Sequence, residues 1–140
     1  MADALDQGAR CVTGGRRHAL GGTFYEPTIL ADVRPTMKIA REEIFGPVAT
    51  LLRFKTEAEA IAMANDTEFG LASYFFSRDL ARVWRMAGAL DVGMARINTG
   101  VISTAVAPFG GVKQSGMGRE GSRHGIESYI DTKYLCMGGL

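Results

Sequence analysis

Between Ser115 and Gly125 the sequence reads SGMGREGSRHG, in which Gly116, Gly118 and Gly121 spell G-x-G-x-x-G. That spacing can hold a phosphate, because glycines let the backbone turn tightly toward the anion while the amides of a following helix N-terminus point at it. The chemistry also needs a strand before the glycines, a helix after them and an acidic residue about 20 positions on. Here the preceding PFGGVKQ reads as a turn-rich loop, and the acidic partner would fall beyond Leu140. The glycines are therefore expected to shape a loop, not to cradle a dinucleotide. The two cysteines are the other reactive groups. Cys11 sits in QGARCVTGG with no histidine directly beside it and no helix N-terminus to lower its pKa, and Cys136 lies near the end of the chain. Their separation makes neither a C-x-x-C nor a metal spacing, so both read as free structural thiols in a reducing, cytoplasmic compartment. Lys113, Arg119, Glu120, Arg123 and His124 read as a solvated loop and helix face without chemistry.

The elements that must position these groups follow from local pattern. MADALDQGA, residues 1–9, has helix-forming composition. FYEPTIL at 24–30 and PVATLLRF at 47–54 are rich in β-branched and aromatic residues and read as strands, with a loop between them. Thr56 followed by Glu59 is a capping box that opens a helix running to about Asn65. LASYFFS, 71–77, is an apolar run of strand length. RDLARVWRMAGAL, 78–90, places Leu80, Val83, Trp84 and Ala87 on one helical face, and GMARIN, from Gly93, is a short strand. Residues 98–114 form a loop longer than packing alone requires, which marks it as functional. ESYIDTKYLCM reads as a final strand. Alternating strands and helices predict an α/β fold: a mostly parallel sheet with flanking helices. Trp84 and the methionines are expected in its core.

Composition excludes several classes. With 140 residues and 46% hydrophobic content the chain can bury an ordinary single-domain core. Sixteen basic against fifteen acidic residues give a net charge of +1, with no like-charge run to bind nucleic acid or a membrane surface. The longest uncharged run, Ile97 to Val112, is broken by Asn98, Gly100, Pro108 and a Gly-Gly pair and falls short of the ~20 apolar residues of a membrane helix.

Four ordered blocks, EEIFGPV (42–48), NDTEFGLASYFFSRD (65–79), INTG (97–100) and APFGGVKQSGMGREGSRHGIESYIDTKYLC (107–136), resemble the C-terminal part of the NAD(P)-dependent aldehyde dehydrogenases. TGVISTAVAPFGGVKQSG and the KYLCMGGL ending resemble the succinate-semialdehyde branch of that family most. The resemblance implies the C-terminal portion of a catalytic domain over 1–127 and an oligomerisation strand over 128–140, through which the protein would form a homo-oligomer. It also implies that the nucleophilic cysteine, the general-base glutamate and the Rossmann domain lie upstream of this stretch. On that reading the chain is a fragment or the product of a truncated gene, and is inactive alone. The alternative is a non-catalytic interaction or assembly module derived from the family.

By the same resemblance Glu43 and Phe45 bind the cofactor, NAD or NADP: a carboxylate there can accept hydrogen bonds from ribose hydroxyls, and the phenyl ring can pack on the nicotinamide. Glu42 is expected to be structural. Ser103 and Phe109 are the implied substrate residues. A small hydroxyl at the mouth of an aldehyde tunnel can donate to the distal carboxylate of a semialdehyde, whereas a bulky apolar residue would suit alkyl or aryl aldehydes. Phe109 matches an aromatic that lines the tunnel. Arg96, in GMARIN, stands where the family carries a small or apolar residue, so it needs either a partner or an exposed strand.

Overall fold

The computed structural model describes residues 1–101 and 103–139. They fall into two compact units, Met1–Met63 and Ala64–Leu140.

In the first unit a short helix, α1 (Ala2–Asp6), leads to β1 (Arg10–Thr13), β2 (Thr28–Ala31) and β3 (Val48–Thr50), with a 3-10 turn at Lys38–Ala40. β2 is central: β1 pairs with it antiparallel, and β3 pairs with it parallel in the register Thr28↔Val48, Ile29↔Ala49 and Leu30↔Thr50. The β-branched and aliphatic residues of TILA explain the strand, and its period of two puts Thr28 and Leu30 inside while Ile29 faces out. Leu30 and Met37 are fully buried and form a core with Ala4, Ala9 and Val33. The expected helix over 1–9 is shorter, because Gly8 at φ +96 takes the left-handed conformation that ends it. The expected strand over 24–30 begins only at Thr28, since Pro27 has no N–H to give a ladder. β1 carries no sequence signal because all four of its residues are exposed.

The capping box is present as expected. Thr56 Oγ1 accepts from the Glu59 amide at 3.1 Å and Glu59 Oε2 accepts from the Lys55 amide at 2.7 Å, opening α2 (Glu57–Asn65). Such a cap stabilises a helix by about 1 kcal/mol.

The second unit contains β4 (Phe69–Gly70), β5 (Ala72–Phe75), α3 (Leu80–Ala89), β6 (Met94–Ile97) and β7 (Val112–Lys113). β5 and β6 are parallel, Ala72↔Met94 through Phe75↔Ile97, and are joined by α3; β4 and β7 are antiparallel. The Asp79 side chain caps α3 by accepting from the Arg82 amide at 3.1 Å. The chain is thus α/β, with its strands among the described residues in three small sheets that hold two parallel ladders, β2/β3 and β5/β6, and two antiparallel ones, β1/β2 and β4/β7.

Two expectations are corrected. Trp84 is 74% exposed and no residue of α3 is buried, so the apolar stripe of that helix is not core among the described residues. Met37 and Met94 are buried, whereas Met117 and Met137 are exposed. Within the single chain Glu127–Tyr129 is a 3-10 turn and 130–139 carries no regular structure. A strand exists only through a partner's backbone, and no described segment of this chain supplies one. No helix among the described residues is long and apolar enough to cross a membrane.

Candidate functional site

Glu43 and Phe45 lie between the 3-10 turn and β3. The amides of Arg41 and Glu42 both donate to the Lys38 carbonyl, and Gly46 donates to Ile44, so the backbone folds tightly through EEIFG. Thr28 then donates to the Pro47 carbonyl at 2.8 Å, fastening the end of this segment to β2. Glu42 is engaged by Lys38, Nζ to Oε1 at 3.4 Å, which agrees with a structural role. Glu43 makes no hydrogen bond or ion pair with the described residues, and Phe45 is 93% exposed. Both line an open cleft of about 550 Å³ whose other walls include Met1, Lys38 and Val48. An uncommitted carboxylate can accept hydrogen bonds from hydroxyl groups, and a bare aromatic face beside it can pack on a flat ring.

In the second unit the long loop is held at both ends. At its start Asn98, at φ +57, exchanges bonds with Ser77: Nδ2 donates to the Ser77 carbonyl and Oδ1 accepts from the Ser77 amide, each at 2.8 Å. Asparagine tolerates this backbone because its short amide bonds locally. At the other end Phe109 and Glu120 exchange two backbone bonds of 2.8 Å, and Ser122 donates to the Ala105 carbonyl at 3.0 Å. Ser103 lies between these anchors and is exposed; Phe109 is half-buried. Ser103 and Phe109 therefore share one loop, on a different unit from Glu43 and Phe45. Ile102, next to Ser103, lies outside the described residues.

The glycine fingerprint is loop architecture. Gly116 and Gly121 have φ of +138 and +68, and a β-carbon on Gly118 would stand 2.8 Å from Ser128 Oγ. No helix follows the glycines, only turns and a 3-10 segment, so the anion cradle is not built. His124 Nδ1 lies 2.9 Å from Glu127 Oε1, a surface pair. Cys11 and Cys136 are both free and exposed, and Cys11 Sγ donates to the Thr13 carbonyl at 3.3 Å. No metal-binding group of three ligands occurs among the described residues. Arg96 stands opposite Tyr74 on β6 and is half-buried, which spares it the full cost of desolvation.

Two residues read from sequence as solvated are instead built in. Arg119 Nη1 donates to the carbonyls of Gly111 and Gly118 at 2.7 and 2.8 Å, bracing the turn behind Phe109. Lys113 has a left-handed backbone and three partners for its ammonium. A left-handed lysine leaves no mark in a sequence of ordinary turn composition; only the glycines around it signalled close packing.

The model of the aldehyde dehydrogenase family matches residues 1–135. A glutarate-semialdehyde dehydrogenase of Pseudomonas aeruginosa is 63% identical over 140 residues, which is 100% of this chain and 29% of that protein. A succinate-semialdehyde dehydrogenase (NADP(+)) of Escherichia coli K12 is 60% identical over 138 residues, 99% of this chain and again 29% of the relative. The crystal structure of a succinate-semialdehyde dehydrogenase from Burkholderia pseudomallei superposes with a TM-score of 0.93 at 62% identity, over 97% of this chain and 28% of that one. The chain therefore spans under a third of the length of the relatives it matches.

Proposed function

Because the chain belongs to the aldehyde dehydrogenase family, we propose that it forms the cofactor- and substrate-facing C-terminal part of an enzyme that oxidises succinate semialdehyde to succinate with NADP+ or NAD+. The observation that carries this is the match across residues 1–135, which includes both the Glu43–Phe45 stretch and the Ser103–Phe109 loop. The names of the relatives, semialdehyde dehydrogenases with a distal carboxylate on the substrate, point to the same substrate class. Residues 1–127 are then the end of the catalytic domain.

A nicotinamide bound against Glu43 and Phe45 would supply the acceptor for the hydride of the aldehyde carbon, with water supplying the second carboxylate oxygen. Glu43 accepts hydrogen bonds from the ribose hydroxyls. Phe45 offers its exposed face to the nicotinamide ring and so restricts its position. Ser103 donates to the distal carboxylate of the semialdehyde, and Phe109 lines the passage and keeps it apolar. In this reading the nucleophilic thiol and the base that activates water come from the remainder of the enzyme. The free thiols of Cys11 and Cys136 fit a reducing cytoplasm.

Grafting residues 1–140 in place of the matching segment of the Escherichia coli relative tests this directly. The graft is expected to form NADPH from succinate semialdehyde within about tenfold of the parent rate, since most of the segment is shared. A graft that folds and assembles but does not turn over would leave the non-catalytic assembly module as the better reading.

A specific observation favours an assembly role in addition. Tyr129, Ile130, Tyr134, Leu135 and Met137 are all exposed in a segment without a ladder partner. In our reading residues 128–140 add as a strand to the sheet of a second copy, where their backbone groups find partners. Sedimentation should then show self-association of the chain that is lost when 128–140 are removed. A monomer in both cases at high concentration would overturn this role.

A further inference from the structure

Lys113 occupies the second position of β7 with φ +54, a conformation that a β-carbon disfavours. Its side chain is only 23% exposed, and its ammonium donates to the carbonyls of Asn65 at 2.9 Å and Thr67 at 3.1 Å and pairs with Asp91 Oδ2 at 3.0 Å. Asn65 is the last residue of α2, whose unsatisfied carbonyls and negative dipole end favour a cation there. The Asn65 side chain in turn donates to the Ala89 carbonyl at the end of α3 and accepts from the Asp91 amide, both at 2.8 Å. The ammonium thus sits where the ends of α2, α3 and β7 converge.

What this knot holds is the loop. β7 is tied to β4 through Phe69↔Lys113 and Gly70↔Val112, and Gln114 donates to the Glu68 carbonyl at 3.0 Å. Four residues before Lys113, Phe109 is locked to Glu120. The backbone between is tight, because a β-carbon on Gly110 would meet the Gly118 carbonyl at 2.5 Å. The short, closely packed segment 110–112 gives a displacement of Lys113 a direct path to Phe109.

We infer that Lys113 is a positioning residue, whose ammonium, held by Asn65, Thr67 and Asp91, fixes the C-terminal end of the 99–109 loop and thereby sets where Ser103 and Phe109 meet an anionic aldehyde. The specificity part rests on the roles proposed above for those two residues. The loop-anchoring part rests on the geometry alone.

The test uses the grafted enzyme with Lys113→Met, Lys113→Arg and Asp91→Asn, the last two guarding against a methionine variant that fails to fold. Hydrogen exchange at the amides of Phe109, Gln114 and Glu120 reads the anchor, and kinetics with succinate semialdehyde and butanal read the consequence. Lys113→Met is expected to speed exchange at Phe109 and Glu120 about tenfold or more and to raise KM for succinate semialdehyde about tenfold, with kcat within about twofold and butanal little changed. Arginine should restore most of both effects, and Asp91→Asn should fall between. Unchanged exchange at Phe109 and Glu120 in every variant overturns the inference. Equal losses for both aldehydes without arginine rescue overturn it in favour of plain packing. Faster exchange with an unaltered KM overturns the specificity part alone and leaves the substrate roles of Ser103 and Phe109 to be decided by their own variants.

Discussion

Replacing Ser103 with alanine in the grafted enzyme should lower kcat/KM for succinate semialdehyde about ten- to a hundredfold, the value of a hydrogen bond to a charged group of roughly 1.5–3 kcal/mol. Butanal, which has no distal carboxylate, should lose little. The side chain is exposed on a loop whose ends are held by Asn98 and by Phe109, so removing one hydroxyl leaves both anchors intact. A packing defect would therefore not imitate the effect. Ser103→Phe goes further, since it narrows the passage against a carboxylate while offering an apolar wall to alkyl aldehydes. The informative quantity is the ratio of kcat/KM for the two aldehydes. An unchanged ratio in Ser103→Ala would return Ser103 to an ordinary loop residue and remove the case for a dicarboxylic substrate over other aldehydes.

The second expected result is complete: the 140-residue chain alone forms no NADPH or NADH from succinate semialdehyde above the rate without enzyme. Covalent oxidation of an aldehyde needs a thiolate beside a base and a bound nicotinamide. Cys11 is exposed on β1 with its thiol donated to a backbone carbonyl, and Cys136 lies in the exposed, irregular stretch 130–139. Neither has an imidazole partner: His18 Nδ1 accepts from the Leu20 amide and His124 pairs with Glu127. The fingerprint glycines build no anion site, and the chain spans only 29% of its relatives. Turnover by the purified chain that survives in a host lacking any full-length relative would sink this expectation. Recovery of activity in the graft, set against silence in the chain, would assign the missing chemistry to the remainder of the enzyme.

The sequence by itself determined whatever is written locally. The Thr56–Glu59 cap, helix α3 and the parallel β5/β6 pair around it were legible because a capping box, a helical period and strand–helix alternation need only neighbours a few residues apart. The family blocks were legible for the same reason, and with them Glu43, Phe45, Ser103 and Phe109 as candidates. The turn-rich PFGGVKQ before Gly116, Gly118 and Gly121, where a dinucleotide fold needs a strand, was likewise readable from neighbours alone. Tertiary structure alone decided the rest. β1 has four exposed residues and becomes a strand only because β2 offers it a ladder, while 130–139 has a strand's composition and no ladder among the described residues. Trp84 lies on a well-formed apolar stripe, yet burial depends on what covers the stripe, which helical period does not specify. Lys113 shows the same division most sharply: its residue type and turn-rich surroundings read as solvated, and its role arises from carbonyls 46 and 48 residues away that only the folded chain brings to its ammonium.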